Sequence, residues 1–286
     1  MTIRPKKNAG TRPLRIATWN INSVRLRIEL VCRVLQTWQP DVLCLQETKV
    51  VDGDFPRAPL EAVGYGEIAI RGQKSYNGVA IISRLPLANV RAQDWCGKGD
   101  CRHLAAELPG GIELHNFYVP AGGDIPDPEQ NDKFAHKLAF LQEMAAFFGQ
   151  DRQAAARRIL VGDLNVAPLE ADVWSHKALL KVVSHTPVEV ALMAELASAG
   201  QWIDAVRRIV PEPTRLYSWW SYRSPNWEAA DKGRRLDHVW VSPPLAPAIA
   251  QAEILKPVRG WEVASDHVPV LVTLNVPVEA SGDAPA

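Results

Sequence analysis

Cysteine is scarce in this chain of 286 residues: Cys32, Cys44, Cys96 and Cys101 are its only four. Counted as differences in residue number, their separations of 12, 52 and 5 fit neither a CxxC redox pair nor paired zinc ligands. They read as ordinary buried or loop thiols. No apolar run approaches the roughly 18 residues that a membrane-spanning helix needs. The first 13 residues carry Arg4, Lys6, Lys7 and Arg12 and lack the apolar stretch of a secretory signal. A cytoplasmic protein with no membrane partner is expected. Net charge is missing too, because 32 Lys plus Arg balance 32 Asp plus Glu. Any polyanionic partner must therefore be held by local basic clusters rather than by the field of the whole molecule. There is no GxSxG turn to carry a nucleophilic serine.

What the chain does have is apolar material, 47% of its residues, enough for a large core. Length alone suggests two domains, yet no linker divides the sequence. The expected organisation is a basic flexible tail at 1–13, one catalytic domain at 14–276 and a flexible tail at 277–286. Residues 14–20 read as a buried strand. A helix is expected from Val24 through Ile28, Val31, Leu35 and Trp38, capped by Ser23 and closed by Pro40. Strands are expected at 42–46, 66–70, 78–83, 103–108 and 112–119. A second helix opens at Asp127 and Pro128, runs through Phe134, Leu138, Leu141, Ala145 and Phe148, and stops at Gly149. A strand at 158–163 follows, then mostly loop to Arg235 with a helix near 189–199, and strands at 236–242, 249–255 and 268–276. Two halves that each run strand, helix, strands suit two sheets packed face to face with helices outside.

The informative feature is where the polar residues fall. Apolar strands end in, or begin from, short clusters: Asn20 and Asn22, Glu47, Tyr118, Asp163 and Asn165, Asp237 and His238, Asp266 and His267. Any one of these could be a turn or cap residue, since Asp and Asn favour such places. Together they form an inventory of carboxylates, amides, a tyrosine and a histidine, as a cleft at one end of a sheet sandwich requires. Such oxygen-rich sites suit Mg²⁺ or Mn²⁺, which bind a few carboxylates and leave positions for water and phosphate. The chemistry indicated is phosphoryl transfer to water.

The motifs TWNINSVR (18–25), LQETK (45–49), NFYVPAGG (116–123), GDLNVAP (162–168), RRLDHVWVS (234–242) and SDHVPV (265–270) occur in that order. With them the chain resembles the exodeoxyribonuclease III and abasic-site endonucleases of the endonuclease/exonuclease/phosphatase superfamily, from about Leu14 to Val276. Single motifs are shared by relatives acting on inositol phosphates or lipids. The ordered set belongs to the DNA-repair branch. The resemblance implies an α/β fold, a four-layer αββα sandwich of two mixed β-sheets with the active site in the cleft at one end. It further implies Glu47 as the main Mg²⁺ ligand, Mn²⁺ being the substitute, with Asn20 and Asp266 beside it. Asp163 would activate the attacking water and Asn165 would bind the phosphate. His267, kept basic by Asp237, and Tyr118 would hold the phosphate oxygens. A histidine beside a carboxylate favours its charged form near neutral pH, which suits an anionic phosphorane. His238 alternates to the opposite face of its strand and is left out.

The segment from Tyr217 to Asp237 mixes Trp219, Trp220, Tyr222 and Trp227 with Arg215, Arg223, Lys232, Arg234 and Arg235, stacking surfaces among phosphate-binding cations. Trp220, like Trp240, also suits the core. In the family this loop supplies an apolar pocket for a base-less sugar, and Trp219 and Leu236 match it. Arg25, Lys49 and Asn22, near the metal motifs, would contact DNA along with Arg223. Two departures stand out. Arg234 replaces a bulky apolar residue, where Trp227 is expected to fill in, and Ala121 replaces an amide side chain. The expected protein is a monomeric Mg²⁺-dependent nuclease that trims duplex DNA from 3′ ends, cleans blocked 3′ termini and incises 5′ to abasic sites. The alternatives are a phosphatase of small phosphoesters and a non-catalytic DNA-binding module.

Overall fold

A computed structural model describes residues 11–150, 156–224 and 226–279. The first strand, β1 (Thr11–Asn20), is followed by helix α1 (Ile28–Trp38) and β2 (Val42–Gln46), which lies parallel to β1. After α2 (Arg57–Ala62) come β3 (Glu67–Arg71), β4 (Val79–Ser83), β5 (Ala88–Arg91), β6 (His103–Leu108) and β7 (Ile112–Tyr118). Helix α3 (Asp132–Gln150) then leads to β8 (Arg157–Asp163), parallel to β7. The remainder holds α4 (His176–Leu179), α5 (Pro187–Ala199), β9 (Ile203–Asp204), α6 (Ala205–Ile209), β10 (Trp219–Trp220), α7 (Trp227–Ala230), β11 (Gly233–Arg234), β12 (Asp237–Val241), β13 (Ile249–Ile254) and β14 (Val270–Glu279).

These strands make two six-stranded mixed sheets, ordered β13-β14-β1-β2-β4-β3 and β5-β6-β7-β8-β12-β9, with β10 and β11 as a separate ribbon. The central strands are apolar on both faces, which is why they read as continuous runs rather than alternations. From β1, Leu14 and Ile16 enter the layer between the sheets, where they meet Leu114, Ile159, Val161 and Val239. Ala17 and Trp19 face outward onto Val31, Val34 and Leu35 of α1. On the far side, Phe117, Leu160 and Trp240 pack against Phe140, Leu141, Met144 and Phe148 of α3 and Leu192, Met193 and Leu196 of α5. The layers are αββα.

Several boundaries differ from the sequence reading. The first helix starts at Ile28 rather than Val24, because the backbone N–H groups of Ile21, Ser23 and Val24 bond to the carbonyls of Gln46, Glu47 and Thr48. The chain thus continues alongside β2 past the end of β1, Ser23 lies there at φ 82°, and the helix N-cap is Arg27, without a side-chain cap bond. Helix α3 starts at Asp132, where the Asn131 side chain accepts from Lys133 N, while Asp127 accepts from Glu129 N in a local turn. α5 begins two residues early, at Pro187, behind a capping box of Thr186 and Glu189. β5 is an additional strand, an exposed edge without apolar alternation and so without a sequence signal. β1 and β14 extend into the expected tails, pairing Thr11 with Glu279 and Pro13 with Pro277. The rest of those tails, 1–10 and 280–286, lies outside the described residues.

One buried polar contact ties the two sheets together below the site. Asn116 of β7 donates through Nδ2 to the carbonyls of Leu45 (3.0 Å) and Ala80 (2.9 Å) of the opposite sheet, and its Oδ1 accepts from Gln46 Nε2 at 2.7 Å. Replacing Asn116 with leucine strands those buried groups. The expected cost is about 2–4 kcal/mol in chemical denaturation, from several partners left unsatisfied at roughly 1 kcal/mol or more each. A loss below about 0.5 kcal/mol would show that the tie contributes little.

Candidate active site

The topology delivers six sequence motifs to one edge. Parallel neighbours bring their C-terminal ends together, so Asn20 pairs with Gln46 and Tyr118 with Asp163. Antiparallel partners contribute their starts: Asp237 pairs with Asp163, and β14 begins just after Asp266 and His267. At the rim the backbone turns sharply. Asn22, Glu47, Lys49 and Asn165 all have left-handed φ values, 46°, 51°, 54° and 53°, without being glycine. The turn after β2 is held by bonds from Thr48 N to Gly78 O and Lys49 N to Asn77 O. Gly78 is needed there: its φ is 90°, and a Cβ would lie 2.2 Å from Thr48 Oγ1.

The side chains form one connected network. Asn20 Nδ2 donates to Glu47 Oε1 and to Asp163 Oδ2, both at 2.9 Å. Because two carboxylates face that amide, the group between them must be its NH₂. Asn20 Oδ1 accepts from Asn22 N. Expected as a ligand, Asn20 here orients two carboxylates and turns its oxygen to the backbone. Glu47 Oε1 also accepts from Tyr118 OH at 2.7 Å, and Oε2 pairs with Lys49 Nζ at 2.8 Å. Lys49 reaches Asn22 Oδ1, whose amide contacts Asp266 Oδ1 at 3.4 Å, and Asp266 Oδ2 accepts from Trp219 Nε1. Asn165 holds Asp163 twice, from its backbone N (3.0 Å) and from Nδ2 (3.1 Å).

His267 lies between two aspartates. Nδ1 donates to Asp237 Oδ2 at 2.8 Å, and Asp237 is fixed in turn by the Ser218 hydroxyl at 2.6 Å. Nε2 stands 3.7 Å from Asp163 Oδ2, beyond a direct hydrogen bond. Burial alone would discharge this imidazole, but Asp237 and Asp163 overcome it and hold His267 well above its ordinary value. Burial pushes the Asp163 carboxyl up to about 7, against the pull of His267. Glu47 goes the other way: despite burial, Lys49 and the bonds from Asn20, Lys49 and Tyr118 hold it below its usual range. The edge thus carries an imidazolium, a carboxyl poised near neutrality and a firmly ionised carboxylate.

Among the described residues, the ligand-type atoms of Asp163, Asp237 and His267 lie within 4.8 Å of one another. They make a poor cation cage, because a charged His267 has a proton on both ring nitrogens and Nδ1 is already committed. Glu47 fits a metal better. Its side chain keeps 20% of its exposure, its Oε2 already faces an ammonium, and Lys49 and Asn22 link it to a second carboxylate, Asp266. Glu47 and Asp266 therefore suit a hard divalent cation.

Of the residues expected to touch DNA, Arg25 and Arg223 are exposed, and Asn22 and Lys49 line the edge. Trp219 packs with Leu236, Val173 and Leu179 in a small apolar cluster beside His267. Trp227 does not fill in there. It packs on Trp220 at 5.3 Å with Lys256 and Arg259 over its ring, outside that cluster. Two cations of the loop turn inward. Arg234 donates to Val183 O and Ser184 Oγ and lies over Trp219, while Arg235 is fully buried in ion pairs with Asp172 and Asp204. Two further residues, Ser218 and Lys137, support the edge by holding Asp237 and the Asn165 carbonyl. A lone serine in a loop and a lysine on an apolar helix face give no local signal.

Replacing Asp237 with asparagine removes the larger of the two charges that keep His267 protonated while preserving most of the shape. The His267 ring, followed by nitrogen-detected NMR, is expected to titrate well below the parent protein's ring, Asp163 supplying the remaining pull. An unchanged titration would place the origin of the shift elsewhere. The model of the Endonuclease/Exonuclease/phosphatase family matches residues 17–267. Exodeoxyribonuclease III of Haemophilus influenzae is 28% identical over 268 residues, covering 90% of this chain and 98% of its own. An AP endonuclease from Archaeoglobus fulgidus superposes with a TM-score of 0.86 at 32% identity, over 92% of this chain and all of that one. The 3′ phosphatase NExo from Neisseria, solved with a product DNA hairpin, gives 0.83 at 31% identity over 91% of this chain and 99% of its own. With that match spanning both sheets and every motif of the edge except the residues after His267, the chain belongs to the Endonuclease/Exonuclease/phosphatase family.

Proposed function

We propose that this protein is a metal-dependent DNA-repair nuclease of the exodeoxyribonuclease III type, which hydrolyses phosphodiester bonds at 3′ ends of duplex DNA and 5′ to abasic sites. The observation that carries the reading is the single hydrogen-bonded network joining Glu47, Asn20, Asp163 and Tyr118, with His267 of the Asp237 pair 3.7 Å from Asp163. The named activities of its relatives, an exodeoxyribonuclease III, an AP endonuclease and a DNA-bound 3′ phosphatase, support the same substrate class. The last of these also favours removal of 3′ blocking phosphates. We assign the protein to the cytoplasm as a monomer.

In this mechanism Glu47 and Asp266 would hold the cation, and Asn20 fixes the Glu47 carboxylate. A bound Mg²⁺, or Mn²⁺ in its place, would offset negative charge on the phosphate and on the departing oxygen. Asp163 accepts the proton of the attacking water, and the two bonds from Asn165 and the one from Asn20 fix the direction of its lone pairs. His267 presents its Nε2 proton to a non-bridging oxygen and stabilises the pentacovalent transition state. Tyr118 is assigned to the phosphate beside it; Asn165, expected there from the sequence, gives both amide protons to Asp163 and Val119 O and is assigned to holding Asp163 instead. Trp219 and Leu236 form the apolar wall for the sugar, and Arg25, Lys49, Asn22 and Arg223 take backbone phosphates. Arg234 and Trp227 act from behind, by seating the segments that carry the wall and the rim.

Three substrates test the assignment: abasic duplex, blunt duplex and an inositol phosphate, each with and without EDTA. Cleavage of both duplexes, abolished by chelation, is expected; hydrolysis of the inositol phosphate alone would replace the reading with a small-molecule phosphatase. Asp163→Asn is expected to leave duplex affinity intact and lower turnover by about 10²–10⁴-fold, as for loss of a positioned base. Parental turnover in that variant would remove Asp163 from the base role. With a carboxyl near 7 that must be ionised to act, kcat is expected to fall as pH drops below about 7. A rate independent of pH from 5 to 8 would contradict it. Because the chain has no net charge, affinity rests on local phosphate contacts and is expected to weaken steeply with added salt.

A further inference from the structure

A fully buried ion pair lies behind the active site and belongs to no motif. Lys137 on α3 and Glu189 on α5 are both at 0% exposure, with Nζ and Oε1 2.5 Å apart. Two charges in the core are costly unless every donor and acceptor is used. Here they are used on the loops of the site. Lys137 Nζ donates to Asn165 O at 2.7 Å and contacts Ala121 O at 3.4 Å, so it ties together the segments that follow β8 and β7. Glu189 accepts from Ser184 N at 2.9 Å, from Thr186 N at 3.0 Å and from Thr186 Oγ1 at 2.7 Å.

Each end of the pair leads to a group of the site, in two steps from Lys137 and in three from Glu189. From Lys137 the path runs through the Asn165 backbone, held at φ 53°, to the two bonds that Asn165 makes to Asp163. From Glu189 it runs through Ser184, held at φ 89°, to the Arg234 guanidinium, which lies over Trp219, the donor to Asp266. The chain makes room for the arrangement: a Cβ on Gly122 would come within 2.8 Å of the Lys137 stem. Left-handed non-glycine residues are unfavourable and persist where the surroundings hold them. Lys137 and Glu189 provide such a hold for both.

We propose that the Lys137–Glu189 pair is a positioning element, which sets Asn165 and thereby the aim of Asp163, and also seats the 183–186 segment on which Arg234 and Trp219 rest. The proposal rests on the nuclease reading for its kinetic consequence and on geometry alone for its structural one. It predicts that charge neutralisation separates stability from turnover. Replacing a buried ion pair by apolar residues of similar volume is often neutral or stabilising, whereas removing one partner is destabilising.

The test is the double variant Lys137→Met/Glu189→Leu, with Lys137→Met as the single comparison, assayed on duplex DNA with kinetics corrected for the folded fraction. The double variant is expected to regain thermal stability lost in the single one. Its kcat is expected to stay at least about tenfold below the parent with KM within about threefold, the loss typical when a supporting contact is removed. Amide hydrogen exchange is the second readout, independent of activity. Exchange is expected to quicken at 162–168 and 183–187 in the double variant and to stay unchanged in the sheet interiors. Parental kcat together with parental exchange in the double variant would overturn the proposal. A parent that is itself inert on DNA would sink the nuclease reading instead, and the exchange pattern would then decide the positioning role alone.

Discussion

One amide group has to satisfy two carboxylates that belong to different sheets, and the rest of the active edge is arranged around that requirement. Asn20 ends a strand of one sheet, Asp163 a strand of the other, and Glu47 sits on the turn after the strand beside Asn20. For the NH₂ to reach both at 2.9 Å, the sheets must face each other in a fixed register. The Asn116 contacts to Leu45 and Ala80 provide that register from below, and the apolar layer between the sheets provides the pressure that closes it. A slip of one residue would turn the inner face outward and separate the carboxylates.

The second theme is how buried charge is managed. The molecule is neutral overall, yet among the described residues its interior holds ionic groupings that include Asp237 with His267 and Asp163, Lys137 with Glu189, and Arg235 with Asp172 and Asp204. In the last two, opposite charges meet with nearly every lone pair and proton used, and their effect is to fix loops. The first is different. His267 is left facing Asp163 across 3.7 Å, with one carboxylate clamped behind it, so the charge on the ring is kept available rather than consumed. That asymmetry is what sets this grouping apart from the two that fix loops, and it underlies the reactive role proposed for it.

The cationic loop shows why composition misleads about surfaces. Between Tyr217 and Asp237, arginines and tryptophans alternate as they would in a stacking platform for nucleic acid. Only some of them face solvent. Arg235 is fully enclosed, Arg234 turns back onto Val183 and Ser184, Trp220 is core, and Trp227 braces Trp220. Arginine in a loop reads the same whether its carboxylate partner comes from Asp172, sixty-three residues earlier, or from no protein group at all.

Strand placement, the two long helices and the polar residues at strand ends were legible in the amino-acid order, because alternation and run length follow directly from which faces must be buried. The ordered motif set likewise carries the family resemblance in the sequence alone. Helix starts were not legible: Val24 fits the period of α1, but its N–H is taken by Thr48, a partner remote in sequence. Nor were the roles of Asn20 as a bridge, Ser218 as the support of Asp237, or Lys137 as the anchor of Asn165. Each depends on a hydrogen-bond partner brought in from a distant strand or helix, and a partner of that kind exists only once the two sheets have closed. The sequence by itself determined which chemical groups were present and which strands carried them. The tertiary structure decided which lone pairs and protons they share.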